Sequence, residues 1–387
     1  MIHMKCQRQK FQLQRKQAYF NCAYMSPLLK KVEKAGIEGI KKKRKPFHIS
    51  PDDFFHEADT LRLLYSKLID NPEPDRTVII PSVSYGLANV ANNLPFKDGE
   101  ILVCDEQFPS NMYPWMKLEE RGFELKVITP SDSPKRGESW NEKILGAINE
   151  KTRLVSIGHI HWSDGTLFQL ELIRKKLDEY GGLLAVDGTQ SIGALPFSIS
   201  KIRPDALICA GYKWLMGPYS IGMAYYGPAF DKGTPIEENW INRSNSDDFT
   251  QLVNYQPNYR DQAIRYEVGE HSNFILVPML KQAIKQLLKW APENIQSYTQ
   301  ELLQNAILEM RDLGFRIEEE AYRSHHLFGI RLPNSIKMES VQSALKGNRV
   351  SVSFRGDAIR VAPNVYNDEM DVRKLLKAMK EPILAVN

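Results

Sequence analysis

No apolar run in these 387 residues approaches the roughly 20 that a helix needs to cross a bilayer, so the chain reads as soluble and not membrane-bound. The first twenty residues are rich in Lys, Arg and Gln and lack the apolar centre of a secretory signal, which points to the cytoplasm. Cysteine is scarce. Cys6, Cys22, Cys104 and Cys209 include no CxxC pair, so free thiols are expected rather than a disulfide framework or a zinc site. Net charge is also small: +4 does not call for a nucleic-acid partner, although it leaves room for an anionic small molecule. The basic run Lys41-Lys42-Lys43-Arg44-Lys45 has no interleaved aromatic residue and reads as a solvated segment before the turn at Pro46.

What is present is ordinary for a folded protein, with 42% hydrophobic and 25% charged residues, and the length suggests a large lobe and a smaller one. Ser50-Pro51-Asp52-Asp53 carries a helix-start signal, and a helical pattern follows to about Asp70. From Thr77 onward short apolar runs alternate with amphipathic stretches. Thr77 to Ile80, Ile101 to Cys104, Leu125 to Ile128, Leu154 to Ile157, Leu183 to Val186 and Ala206 to Cys209 read as strands. Tyr85 to Asn93, Asn111 to Arg121, Glu142 to Asn149 and Gln169 to Tyr180 read as helices, a rhythm that predicts an α/β fold with a mostly parallel sheet flanked by helices. Pro278 to Asp312 is mainly helical. Beyond it, shorter units at Leu327 to Leu332, Val350 to Phe354 and Ile359 to Val361 precede a last helix from Asp368, which predicts a smaller C-terminal α+β domain.

In open parallel sheets ligands bind at the carboxyl ends of strands, so the residues just past each strand carry the chemistry. Past Thr77 to Ile80 comes Pro81-Ser82-Val83-Ser84-Tyr85-Gly86, a small-residue turn that either caps a helix or receives a phosphate on its N–H groups. Past Leu183 to Val186 comes Asp187-Gly188-Thr189-Gln190, an acid that either caps a turn or meets a buried partner. Past Ala206 to Cys209 comes Gly211-Tyr212-Lys213-Trp214-Leu215-Met216-Gly217-Pro218. Its lysine, enclosed by apolar residues, either snorkels to solvent or is desolvated into a neutral nucleophile.

A lysine, a carboxylate and a phosphate cup on successive strand ends are what pyridoxal 5′-phosphate (PLP) chemistry needs. Asp187-Gly188-Thr189-Gln190-Ser191-Ile192-Gly193, followed by Gly211 to Pro218 and Gly222, resembles the class V aminotransferases, the fold-type I PLP group that includes cysteine desulfurases, kynureninase and isopenicillin-N epimerase. The resemblance runs from about Asn21 to the C-terminus. It implies an N-terminal segment, 1–50, that joins the small domain and covers the active site, a large PLP-binding domain at 51–275, and an interdomain helix with the small domain at 276–387.

Carried over residue by residue, the resemblance makes Lys213 the Schiff-base lysine, Asp187 the partner of the pyridine nitrogen and Gln190 a contact of the ring's phenolic oxygen. Val83 and Ser84 match the phosphate cup, Tyr212 adds a phosphate contact, and Phe108 stands where an aromatic ring stacks on the cofactor or simply packs. Trp162, in His159-Ile160-His161-Trp162-Ser163-Asp164-Gly165-Thr166, stands where desulfurases use an asparagine; the two histidines there have no third ligand, and no metal is expected. Arg360 resembles the arginine that grips a substrate α-carboxylate, with a planar fork suited to that task. Gly269, Ser272 and Asn273 resemble the stretch that a dimer lends to its neighbour's phosphate, which implies a homodimer, although the usual Gly-Thr-Pro is missing. Asn21 and Tyr24 either close over the substrate or form an ordinary N-terminal strand. Side-chain specificity is expected in the loops around Tyr24, Trp162, Trp240 to Arg243 and Phe354-Arg355.

The leading expectation is an aminotransferase acting on an amino acid or amine with a keto acid as acceptor. A C–S lyase or an epimerase of the same family is the alternative reaction, and a catalytically silent binding or regulatory protein is the alternative class. A desulfurase relaying persulfide needs a cysteine in the loop from Lys346 to Arg360, and there is none.

Overall fold

The computed structural model describes residues 4–131 and 135–384. In chain order its strands are β1 (Ala18–Tyr19), β2 (Thr77–Ile80), β3 (Gly99–Cys104), β4 (Phe123–Ile128), β5 (Thr152–Gly158), β6 (Leu183–Asp187), β7 (Ala206–Ala210), β8 (Gly222–Tyr226), β9 (Arg316–Ile317), β10 (Phe328–Arg331), β11 (Val350–Ser351), β12 (Ser353–Arg355) and β13 (Ala358–Val361). β2 to β8 form one sheet in the order β2-β8-β7-β6-β5-β3-β4. Pairings from β3 through β7 are parallel, and β8 alone runs antiparallel to its neighbours.

Helices cover both faces, which is why β2, β6 and β7 read as continuous apolar runs rather than alternating ones. Strand alternation divides their side chains between two cores: Leu184, Val186 and Leu207 pack on one side with Leu280 and Leu287, whereas Ala185, Ala206 and Ile208 pack on the other with Leu87 and Trp115. The expected α/β architecture, a mostly parallel sheet flanked by helices, is the one observed, and all the expected strands of the large sheet lie in it.

A second sheet, in the order β12-β13-β10-β9, is antiparallel and rests on the helices Pro292–Asp312, Met338–Gly347 and Glu369–Leu384. The N-terminal strand β1 pairs in parallel with β11, and Phe20 joins the apolar core of that region.

Four local features depart from the sequence pattern. The helix from Ser50 is broken: Pro51–Phe54 is a single 3-10 turn in which the Ser50 N–H donates to Asp53 (2.8 Å), and the α-helix proper runs His56–Leu68. Pro278 to Asp312 is two helices, Leu276–Trp290 and Pro292–Asp312, parted at Ala291 with φ +60° before a proline. A helix at Lys30–Lys42 carries the start of the basic run, and Lys42 there pairs with Asp53 at 2.6 Å rather than standing free in solvent. β8 lies between β2 and β7 where no strand was expected.

Candidate active site

The carboxyl ends of β2, β5, β6 and β7 deliver their loops to one end of the sheet. Lys213 follows β7 in a tight loop: Gly217 N–H donates to Gly211 O (2.8 Å) and Met216 N–H to Lys213 O (3.1 Å), while Trp214, Leu215 and Met216 are buried as anchors. The N-terminal segment holds the loop from the far side, where Ser26 donates to the carbonyl of Tyr212 through both its N–H and its hydroxyl (3.1 Å each).

Lys213 opens into a cavity of about 440 Å³ whose walls include Phe108, Trp162, Tyr212, Tyr24 and Arg360, all singled out above. Ala23, Met25, Tyr219 and Arg355 complete the lining. Of these, Met25 and Tyr219 carried no sequence signal; Tyr219 is placed by its ring contact with Tyr212 at 4.5 Å. A larger cleft of about 930 Å³ between Lys67, Lys201 and Pro292 includes neither Lys213 nor Arg360.

The Lys213 side chain is 8% exposed and makes no hydrogen bond or ion pair with any described residue. Its nearest ring neighbours are Phe108 (5.5 Å) and Tyr212 (5.6 Å). Burial pulls its pKa down to about 8, against the opposing effect of Asp187, with Arg360 and Arg355 adding repulsion. Asp187, at the end of β6, accepts the Thr189 N–H (2.9 Å), and burial raises its pKa. A cation placed beside that carboxyl would restore its charge, so the site fits a protonated pyridine nitrogen.

Gln190 is held on both sides, accepting from Trp214 Nε1 (2.9 Å) and donating to Ala23 O (3.2 Å), which leaves one amide N–H for a phenolic oxygen. His326, which no sequence signal marked, meets the Gln190 backbone carbonyl through Nε2 at 2.8 Å. Val83 and Ser84 open the helix Val83–Asn92, where Ser82 Oγ takes the Tyr85 N–H (3.2 Å) and the Val83 and Ser84 N–H groups have no partner within the helix.

Arg360 on β13 is buried. Its Nη1 donates to Trp162 O (2.6 Å), its Nη2 lies 3.4 Å from Ser353 Oγ, and its Nε has no partner. Ser353 in turn donates to Asn21 Oδ1 (2.8 Å), so Asn21 reaches the site through Ser353. Trp162 meets Phe108 edge to face at 5.4 Å and donates from Nε1 to Glu106 O (2.7 Å). The histidines of this segment point away from each other: His159 packs on Phe197, and His161 on Trp140 beside Asp164.

Gly269, Ser272 and Asn273 do not line this cavity. The Gly269 N–H donates to Glu237 (2.7 Å), and Asn273 Oδ1 caps the helix Leu276–Trp290 by accepting from Ile275 and Leu276.

The family model for aminotransferase class-V matches residues 45–377. The chain belongs to that family, and PLP is its cofactor. An uncharacterized aminotransferase of Schizosaccharomyces pombe is 25% identical over 338 residues, covering 85% of this chain and 82% of its own length. A probable cysteine desulfurase of Methanothermobacter thermautotrophicus is 31% identical over 156 residues, covering 40% of this chain and 38% of its own. Among solved structures, the apo cysteine desulfurase of Thermococcus onnurineus superposes with a TM-score of 0.79 at 20% identity, covering 100% of both chains, a likeness of fold. No helix among the described residues is long and apolar enough to cross a membrane.

Proposed function

We propose that this enzyme is an aminotransferase in which Lys213 binds PLP covalently and then carries the proton of the reaction. When bound, the cofactor supplies an electrophilic aldehyde and an electron-withdrawing ring. Lys213, with its pKa drawn down to about 8, is partly neutral near neutral pH, so its Nζ can act as nucleophile and as base. Asp187 would hold the proton on the ring nitrogen, and Gln190 would offer its free N–H to the phenolic oxygen. Val83 and Ser84 would present their amides to the phosphate, with Tyr212 beside them, while Phe108 and Trp162 would wall the ring and exclude water. Arg360 would take the substrate α-carboxylate through its fork.

One observation favours transamination over the rival reactions: among the described residues Lys213 is the only amine lining the cavity, and beside it stand the phenols of Tyr24, Tyr212 and Tyr219 but no imidazole, thiol or carboxyl. A proton removed by Lys213 can be returned by Lys213 at the second carbon, which is what transamination needs. Epimerisation needs a separate acid on the opposite face, which here would have to be one of the lining phenols. A persulfide relay needs a thiol, and Cys22, next to the lining residue Ala23, is buried with its pKa pushed up to about 12.

The test is a cofactor spectrum of the PLP-loaded protein, first with an amino acid and then with a keto acid. Cycling between two absorbing forms, lost in Lys213→Ala, supports the reading. Release of sulfide, or loss of substrate chirality with no keto acid formed, overturns it. We further propose a cytoplasmic homodimer in which Ser272 and Asn273 reach the neighbour's phosphate; sedimentation of a monomer at micromolar concentration would contradict this.

A further inference from the structure

The β12–β13 hairpin places a second guanidinium in the same cavity. Ser353 pairs across the hairpin with Arg360, and Arg355 pairs with Ala358. Side chains alternate along a strand, so Ser353, Arg355 and Arg360 share one face. Arg355 is the diagonal neighbour of Arg360, a relation that sets Cβ atoms about 7 Å apart. The two-residue turn between the strands carries Gly356 at φ +54°, a conformation that glycine adopts without strain.

Arg355 is half-buried and has no acidic partner among the described residues. Its Nη1 donates to the carbonyl of its own neighbour Phe354 (2.7 Å), and its guanidinium lies 5.5 Å from the Trp162 ring. Acids on the turn and on the neighbouring segments are engaged elsewhere. Asp357 pairs with Arg331 (3.0 Å), Asp164 with Arg331 (3.0 Å) and Arg136 (2.9 Å), and Glu106 with Arg136 (2.9 Å). Among the described residues the cavity therefore gathers Lys213, Arg355 and Arg360 with no carboxyl in its lining, and Asp187, which acts on Lys213, stands outside that lining. One α-carboxylate on Arg360 satisfies one fork and leaves the other cation uncompensated.

We propose that Arg355 is a second anion anchor of this site, and that the substrate is an amino acid whose side chain ends in a carboxylate. This assignment rests on the aminotransferase reading for Arg360 and Lys213. The Trp162 ring holds the Arg355 fork from one side, so the distal carboxylate is received in a fixed plane.

The test is calorimetric binding of unreactive carboxylates to the PLP-loaded protein at constant ionic strength, with succinate and glutarate compared with butyrate and valerate. At least one dicarboxylate should bind about tenfold tighter than its monocarboxylate counterpart, equivalent to about 1.4 kcal/mol. Arg355→Gln should collapse that ratio to near one, and Arg355→Lys should keep part of it, with both variants melting as the parent does. Equal binding of the two classes by the parent protein, or a ratio that survives in Arg355→Gln, overturns the proposal. Tighter binding of 3-sulfopropionate than of succinate overturns the carboxylate assignment. The measurement needs no turnover, so a protein that never cycles with keto acids refutes the aminotransferase reading while the ratio still decides the role of Arg355.

Discussion

Two arginine clusters meet on the turn after β5, and they are handled in opposite ways. Arg136 and Arg331 converge on one Asp164 oxygen (2.9 and 3.0 Å), while its other oxygen accepts from the N–H (3.1 Å) and hydroxyl (2.9 Å) of Thr166. Asp164 is buried, and the neighbouring His161 and the two guanidiniums hold its pKa well below the usual carboxylate range against the opposing effect of burial. Two residues earlier, Trp162 offers only a carbonyl to Arg360 and a ring face to Arg355. The first cluster is electrically closed and ties β10 to the turn after β5. The second is left open towards a cavity, and burial pulls the Arg360 pKa down to about 10. Cations that a fold needs for itself are paired inside the chain; cations left unpaired beside a cavity are matched to something that arrives.

The sharpest way to break this contrast is to remove a group from each side. Lys213→Ala should lower single-turnover transamination by more than about 10³-fold, because it deletes the base. It should leave the melting temperature unchanged or slightly raised at pH 7. The sign follows from the folded pKa of about 8 lying below the ordinary 10.5: the unfolded chain binds the proton more tightly, so the lysine costs stability below pH 8 and the cost fades as pH rises towards 10.5. Asp164→Ala should do the reverse, costing about 1–3 kcal/mol in denaturant melts because it removes the buried acceptor of two charged hydrogen bonds, while Arg136 keeps Glu106 and Arg331 keeps Asp357. No loss would mean that the Asp164 cluster does not hold these segments together.

Arg360→Gln should reduce kcat/KM by about 10- to 100-fold, the scale of a lost charged hydrogen bond, with little change in the melt. A large drop in stability instead would move Arg360 into the structural class. The smallest effect is on pH. Cofactor capture should accelerate as pH rises through about 8, where Lys213 becomes neutral. Asp187→Asn should move that midpoint down, since the carboxylate favours the ammonium, and Arg355→Gln should move it up, since the guanidinium disfavours it. Stopped-flow absorbance across pH 6–10 reads both shifts.

Much of the fold was legible because its strands are buried on both faces, so apolar runs such as Thr77–Ile80 mark them without ambiguity. The helix Lys30–Lys42 was not, and the reason is local. Its buried face is made by Val32, Gly36 and Gly39, and a Cβ at Gly39 would lie 2.2 Å from Phe274 O. Close backbone approach replaces the apolar stripe by which helices are read. β8 escaped because Gly222 leads it and it follows directly on the lysine loop. In the site, Lys213, Asp187 and Gln190 stood in motifs, whereas His326 and Tyr219 act through contacts that no spacing announces.

The order of residues by itself determined the parallel-sheet class and the family, because burial patterns and loop chemistry are local and repeat along the chain. It also named a lysine, an acid and an arginine worth watching. Only the tertiary structure decided which charges are paired. Asp164 and Trp162 are two positions apart, yet one meets Arg331 from β10 and the other Arg360 from β13. Whether a cation is neutralised depends on what distant segments bring within a few ångströms, where Coulomb energy and desolvation are strongest.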